Sequence, residues 1–143
     1  MAIVYFDSSA LVKLVLDETG SDVAAALWNA CDAALSSRLA YPEVRAALAA
    51  AGRSHDLADA EATDAAAEWE TFWASMRPIE LSAEVERAAG ELAALRRLRG
   101  ADAVHLASAL ALGSSDVTLA AWDKRLHAAA AAAGLAVAPA ALD

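Results

Sequence analysis

With 143 residues, 59% of them hydrophobic, and a mean hydropathy of +0.36, the chain has the size of one domain and enough apolar material for a real core. Alanine supplies much of that hydropathy, and the longest uncharged stretch, 128–142, is short, leucine-poor and interrupted by Gly134 and Pro139, which argues against a membrane span. The formal net charge of −9, from 20 acidic and 11 basic residues, is the opposite of the basic face expected where a protein grips a nucleic-acid backbone without sequence preference.

Apolar Ile3-Val4-Tyr5-Phe6 reads as a buried strand closed by Asp7, and Ser8 opens a helix to about Leu16. A turn at Gly20-Ser21-Asp22 caps a second helix, Val23 to Asp32, and Ala33–Ser37 is a weak strand. Tyr41-Pro42-Glu43 opens the next helix, with proline tolerated in the first turn and Gly52 as its stop. Asp56 to Met76 reads as a long helix whose outer face carries much of the acid excess. Trp69, Phe72, Trp73 and Met76 fall at helical spacing on it, an apolar stripe that belongs to the core or to a dimer or partner contact. Pro78–Leu81 is a short strand, and Ser82 caps a helix to about Leu98. Gly100 separates that from a helix Asp102–Leu112, ended by Gly113. The last unit is a strand Val117–Trp122, a helix Lys124–Ala133 stopped by Gly134, and an edge strand Leu135–Ala138.

Short apolar runs alternating with helical patterns predict a single α/β domain with a central, mainly parallel sheet flanked by helices. In such sheets ligands bind beyond the carboxyl ends of the strands, and Asp7 and Asp123 both stand at that address. Glu43 and Asp102 sit likewise at helix starts. Each acid alone has a plain alternative, an N-cap or a favourable partner of the helix dipole. Asp102 is the most telling, because its helix is otherwise apolar and a lone charge there is costly unless paired or metal-bound. Four acids at four element starts favour a shared site, and oxygen-only donors select hard ions, Mg²⁺ or Mn²⁺. His105 lies one turn after Asp102, where a packed histidine outweighs a proton-transfer role, and His55 and His127 have no partner that the sequence identifies. Arg96, Arg97 and Arg99, and Lys124 and Arg125, form two basic clusters beside key acids, with ordinary surface charge an equal reading. Cys31, the single cysteine, excludes an internal disulfide and reads as a small hydrophobe on a helix. With no basic segment before Ile3, a cytoplasmic protein is the expectation.

Taken together, Phe6-Asp7-Ser8-Ser9-Ala10-Leu11, Tyr41-Pro42-Glu43-Val44-Arg45, Arg99-Gly100-Ala101-Asp102-Ala103-Val104-His105-Leu106-Ala107 and Trp122-Asp123-Lys124-Arg125-Leu126 resemble the PIN-domain ribonucleases, specifically the VapC-type toxins of toxin–antitoxin pairs. The resemblance runs in the family's order over nearly the whole chain. It implies a three-layer α/β sandwich and Mg²⁺- or Mn²⁺-dependent RNA cleavage at Asp7, Glu43, Asp102 and Asp123, as catalytic residues and metal ligands. It also implies a homodimer and a small cognate antitoxin, whose basic arm would pair with the acids. The family often carries Ser or Thr two positions before the fourth acid; Ala121 stands there, leaving Ser8 and Ser9 as the hydroxyls available to substitute. The competing readings are a catalytically inactive PIN scaffold binding a protein or RNA partner, and an aspartate-nucleophile phosphatase. The second is disfavoured because Ser9 stands where its second acid belongs.

Overall fold

The computed structural model describes residues 1–54 and 57–142. In chain order these form β1 (Ile3–Phe6), α1 (Ser8–Val15), α2 (Ser21–Ala30), β2 (Ala33–Ser37), α3 (Ala40–Arg53), α4 (Asp59–Ala74), β3 (Arg77–Ile79), α5 (Ala83–Arg96), α6 (Gly100–Leu110), β4 (Val117–Ala120), α7 (Lys124–Ala132) and β5 (Ala136–Ala138). The strands make one sheet in the order β3-β2-β1-β4-β5, and every pairing is parallel. The expected sheet is therefore present, and it is wholly rather than mainly parallel.

Alternation along β1 divides the core. Val4 and Phe6 point into a cluster with α1, α3 and α4, built around Leu11, Val44 and the fully buried Trp69. Tyr5 points the other way, against Leu98 and the apolar faces of α5, α6 and α7, among them Leu106 and Leu126. Both faces of β1 are covered, which is why its sequence is continuously apolar.

The chain runs outward from β1 through β2 to β3, then returns across the sheet to place β4 on the other side of β1. The connections diverge between β1 and β4, the place where open α/β sheets form their crevice. Ile3 to Phe6 register against Val117 to Ala120, and the Asp7 N–H continues the ladder to the Ala120 carbonyl at 3.1 Å.

Several boundaries shift from the sequence expectation. Gly20, in left-handed backbone at φ 95°, starts α2 at Ser21, and Cys31 is its half-buried C-cap rather than a helical residue. Trp122 packs so close to Gly20 that a Cβ there would lie 2.7 Å from the indole nitrogen. Gly52 does not stop α3, which runs on to Arg53. α6 begins at Gly100, so Asp102 lies in its first turn rather than at its start. α4 ends at Ala74, and Met76 reaches the core after the chain has left the helix. Trp69 and Met76 are buried, with Phe72 and Trp73 packed against the same cluster, so the stripe is core and not a free dimer surface. His55 and the expected α4 start at Asp56 lie outside the described residues.

Candidate active site

Asp7 ends β1 and caps α1: its Oδ1 accepts from the Ala10 N–H at 2.9 Å and from the Ser9 hydroxyl at 2.7 Å. Ser9 also accepts the Trp122 N–H at 3.0 Å, tying the end of β1 to the loop that carries Asp123. Asp7 is only 3% exposed. Burial pushes its carboxyl up to about 6, against the lowering effect of His105, Ser9 and the Ala10 N–H, and the charge of Asp102 pushes the same way as burial. Asp7 and Asp102 thus act on one another across the sheet end.

Glu43, in the first turn of α3, accepts through Oε1 from Ser8 at 2.6 Å and from His105 Nε2 at 2.6 Å. Burial works to raise its pKa, but the His105 and Ser8 bonds and the charges of His105 and Arg99 outweigh it and hold the carboxyl below its ordinary value. His105 is buried and also meets the Tyr5 hydroxyl through Nδ1 at 2.7 Å. Burial raises the Tyr5 phenol above its ordinary value and keeps it protonated. With the ring neutral, the tautomer that satisfies both contacts has Tyr5 donating to Nδ1 and Nε2–H donating to Glu43; with the ring protonated, both nitrogens donate and Glu43 also meets a positive charge. His105 is therefore packed, as the sequence favours, and it is packed directly onto a candidate acid.

Asp102 projects from the first turn of α6, and Asp123 caps α7 through Oδ1 and the Leu126 N–H at 3.0 Å. One guanidinium joins them: Arg99 Nε lies 3.1 Å from Asp102 and its Nη2 lies 3.3 Å from Asp123. The two carboxylates raise the Arg99 pKa, chiefly through Asp102. Arg99 was visible in the sequence only as part of a basic cluster; its spacing of three from Asp102 on a helix start was the usable signal. His127 finds the Pro139 carbonyl at 2.6 Å and takes no part here.

The four acids fall into two neighbouring pairs of contacts, Asp7 and Glu43 held by serines and His105, Asp102 and Asp123 held by Arg99. Among the described residues, no three ligand-type side chains are drawn into a ready metal cage. Each acid already accepts from a protein donor. The donor set is nevertheless all oxygen and includes a desolvated carboxylate, which fits a hard cation that keeps part of its water and takes one or two protein ligands. Ala121 is fully buried, and the hydroxyls of the site come from Ser8 and Ser9.

The PIN domain family model matches residues 4–132. The chain is 65% identical over its full length, and over 99% of theirs, to ribonuclease VapC45 and ribonuclease VapC49 from two strains of Mycobacterium tuberculosis. It belongs to the PIN-domain family and groups there with the VapC ribonucleases. The crystal structure of M. tuberculosis VapC20, a sarcin-ricin loop cleaving toxin, shares the fold with a TM-score of 0.66 at 20% identity, covering 92% of this chain and 95% of that one. A toxin–antitoxin complex from Klebsiella pneumoniae matches with a TM-score of 0.66 at 17% identity over the whole of both chains.

Proposed function

We propose that the protein is a divalent-metal-dependent endoribonuclease, the toxin of a toxin–antitoxin pair, and that Asp7, Glu43, Asp102 and Asp123 are its working acids. The reading rests on the arrival of four acids from β1, α3, α6 and the β4–α7 loop at one sheet switch point. Kinship with the VapC ribonucleases supports RNA as the substrate. Asp7 and Asp102 would hold Mg²⁺ or Mn²⁺, with Glu43 and Asp123 completing the set, directly or through water. A bound ion supplies charge stabilisation at the phosphoryl oxygens and makes a water more acidic.

The chain's own residues do the rest. Glu43, kept ionised by His105 and Ser8, can accept a proton from an attacking water. His105 fixes the carboxylate orientation, and Tyr5 fixes His105. Ser9 holds Asp7 against the Trp122 backbone, so the acids on β1 and after β4 keep their relative placement. Arg99 neutralises Asp102 and Asp123 through one oxygen of each, Oδ2, and so leaves the other carboxylate oxygens to face a cation.

The same electrostatics suit an inhibitor. A basic arm of a small antitoxin can offer Asp102 and Asp123 the guanidinium contacts that Arg99 makes within the chain. Mapping the bound arm to a surface remote from Asp7 and Asp102 would remove this part of the reading. A homodimer is part of the proposal through family kinship.

The test is purified, antitoxin-free protein with total RNA in Mg²⁺ or Mn²⁺, beside EDTA and an Asp102→Asn control. Discrete fragments are expected only with metal and the intact acid, and the variant should lose at least about a hundredfold in rate, the scale on which removal of one transition-state stabilising group acts. Cleavage equal in the variant would take Asp102 out of the mechanism. A PIN scaffold without catalysis would show no Mn²⁺ affinity dependent on Asp7 and Asp102 in calorimetry.

A further inference from the structure

Outside the acid site, a cleft of about 460 Å³ is lined by Arg96, Arg97 and Arg125 over the alanine face Ala128, Ala129 and Ala132 of α7. Arg125 also lines the adjoining hollow of about 450 Å³ formed by Arg99, Trp122, Asp123 and Lys124. A basic track thus leads from the acid site, past Lys124, to three guanidiniums at the meeting of α5 and α7.

Several independent features mark this cleft. In a chain of net charge −9, Arg96, Arg97, Lys124 and Arg125 make no ion pair among the described residues, which is equally true of Arg53, Arg77 and Arg87, but these four are gathered along one cleft and its adjoining hollow. The Nε of Arg96 is buried without a hydrogen-bond partner, and such an orphan donor is costly unless a ligand meets it. Arg97 is the only non-glycine residue at positive φ among the described residues, φ 55°, at a helix C-terminus where glycine is the unstrained choice. Lys124 and Arg125 occupy the first turn of α7, where the helix dipole favours acids. Locally unfavourable choices gathered at one place indicate selection for a ligand.

We propose that this cleft is a second binding site, for a backbone phosphate of the RNA strand lying outside the bond that is cut. It rests on the ribonuclease reading above and deepens it. Arginine presents a planar fork matched to phosphate oxygens, and the alanine floor leaves room for a sugar. The overall negative charge repels RNA elsewhere on the surface, so a localised basic track also sets the direction in which the strand crosses the acids.

The test is fluorescence anisotropy with a labelled single-stranded RNA of mixed sequence, in EDTA so that nothing is cut, across a salt series. The triple variant Arg96→Gln, Arg97→Gln, Arg125→Gln is compared with a charge-matched control, Arg53→Gln, Arg77→Gln, Arg87→Gln, whose arginines are exposed elsewhere. For single strands the slope of log affinity against log salt changes by about 0.7 per phosphate contact. The cleft variant is expected to lose roughly two units of slope and at least tenfold in affinity at low salt, and the control to lose little. Arg97→Gly, which relieves the strained backbone, should weaken RNA binding while keeping or raising the melting temperature, so lost binding cannot be lost folding. Equal losses in the two triple variants, unchanged binding in the cleft variant, or a change of oligomeric state in place of a change in RNA affinity would each overturn the proposal. The cleavage assay separates the two readings: cutting with an indifferent cleft removes only this inference, and cleft-dependent binding without metal-dependent cutting removes only the ribonuclease.

Discussion

Asp7, a candidate site residue, is costly for the fold to bury. Its carboxyl is nearly inaccessible, and its pKa of about 6 lies above the roughly 3.9 of an unfolded aspartate. A raised acid binds its proton more tightly in the folded state, so the metal-free protein should gain stability as pH falls from 6 towards 4 and carry the full penalty above 6. Two units correspond to about 3 kcal/mol, undiscounted because the group is buried. Asp7→Asn retains an oxygen for the Ser9 and Ala10 donors and removes the charge. In EDTA at pH 7.5 the variant should be more stable than the native protein by about 1–3 kcal/mol, with the gap closing near pH 4. Denaturant midpoints at the two pH values measure it. A variant less stable at pH 7.5 would mean that His105 and Ser9 compensate the charge better than its burial implies.

At the scale of elements, most of the architecture was legible because pattern and punctuation agreed. The apolar run of β1 with Asp7 and Ser8 after it, and Gly113 before Val117, each had one reading. The acids were legible as addresses, not as contacts. Sequence placed Asp7 and Asp123 at strand ends, yet that Ser9 joins Asp7 to the Trp122 backbone just before Asp123, or that Glu43 and His105 meet across 62 positions, depends on tertiary geometry no local spacing encodes. The plain alternative for Asp7, an N-cap, is realised in the structure, while the two serines after it bind acids. The α4 stripe shows the same limit: periodicity reveals an apolar face but not what covers it. Tyr41, Trp69 and Trp73 stack at centroid distances of 5.5–6.0 Å, and Trp69 is wholly buried. Trp69→Ala should therefore cost about 3–5 kcal/mol of stability. Trp69→Phe should cost much less, because the indole N–H has no partner and its loss removes an orphan donor. Near-native chemical-denaturation midpoints for the alanine variant would return the stripe to the role of a surface contact.

For the whole molecule, the switch point gathers groups from opposite ends of the chain, Asp7 near one terminus and Asp123 near the other. The same closure joins β1 to β4 and α3 to α6, so an ion held among the acids would fasten segments that must separate on unfolding. Its binding therefore adds to global stability by mass action, about 2.7 kcal/mol when the free ion is at a hundred times its dissociation constant. With a shift of roughly 2–4 °C per kcal/mol at this chain length, Mn²⁺ should raise the melting temperature by about 5–10 °C. The net charge of −9 supplies a competing explanation, because exposed acids on α4 also attract divalent ions. The two differ in their dependence on residues. Stabilisation through the site should vanish in an Asp7→Asn, Asp102→Asn double variant and survive in one lacking Asp59 and Asp64 of α4, whereas diffuse attraction should do the reverse. Calorimetric melting of the three proteins in EDTA and in Mn²⁺ decides between them. A rise that persists undiminished in the double variant would place the ion elsewhere and leave Asp7 as a buried charge with no cation to answer it.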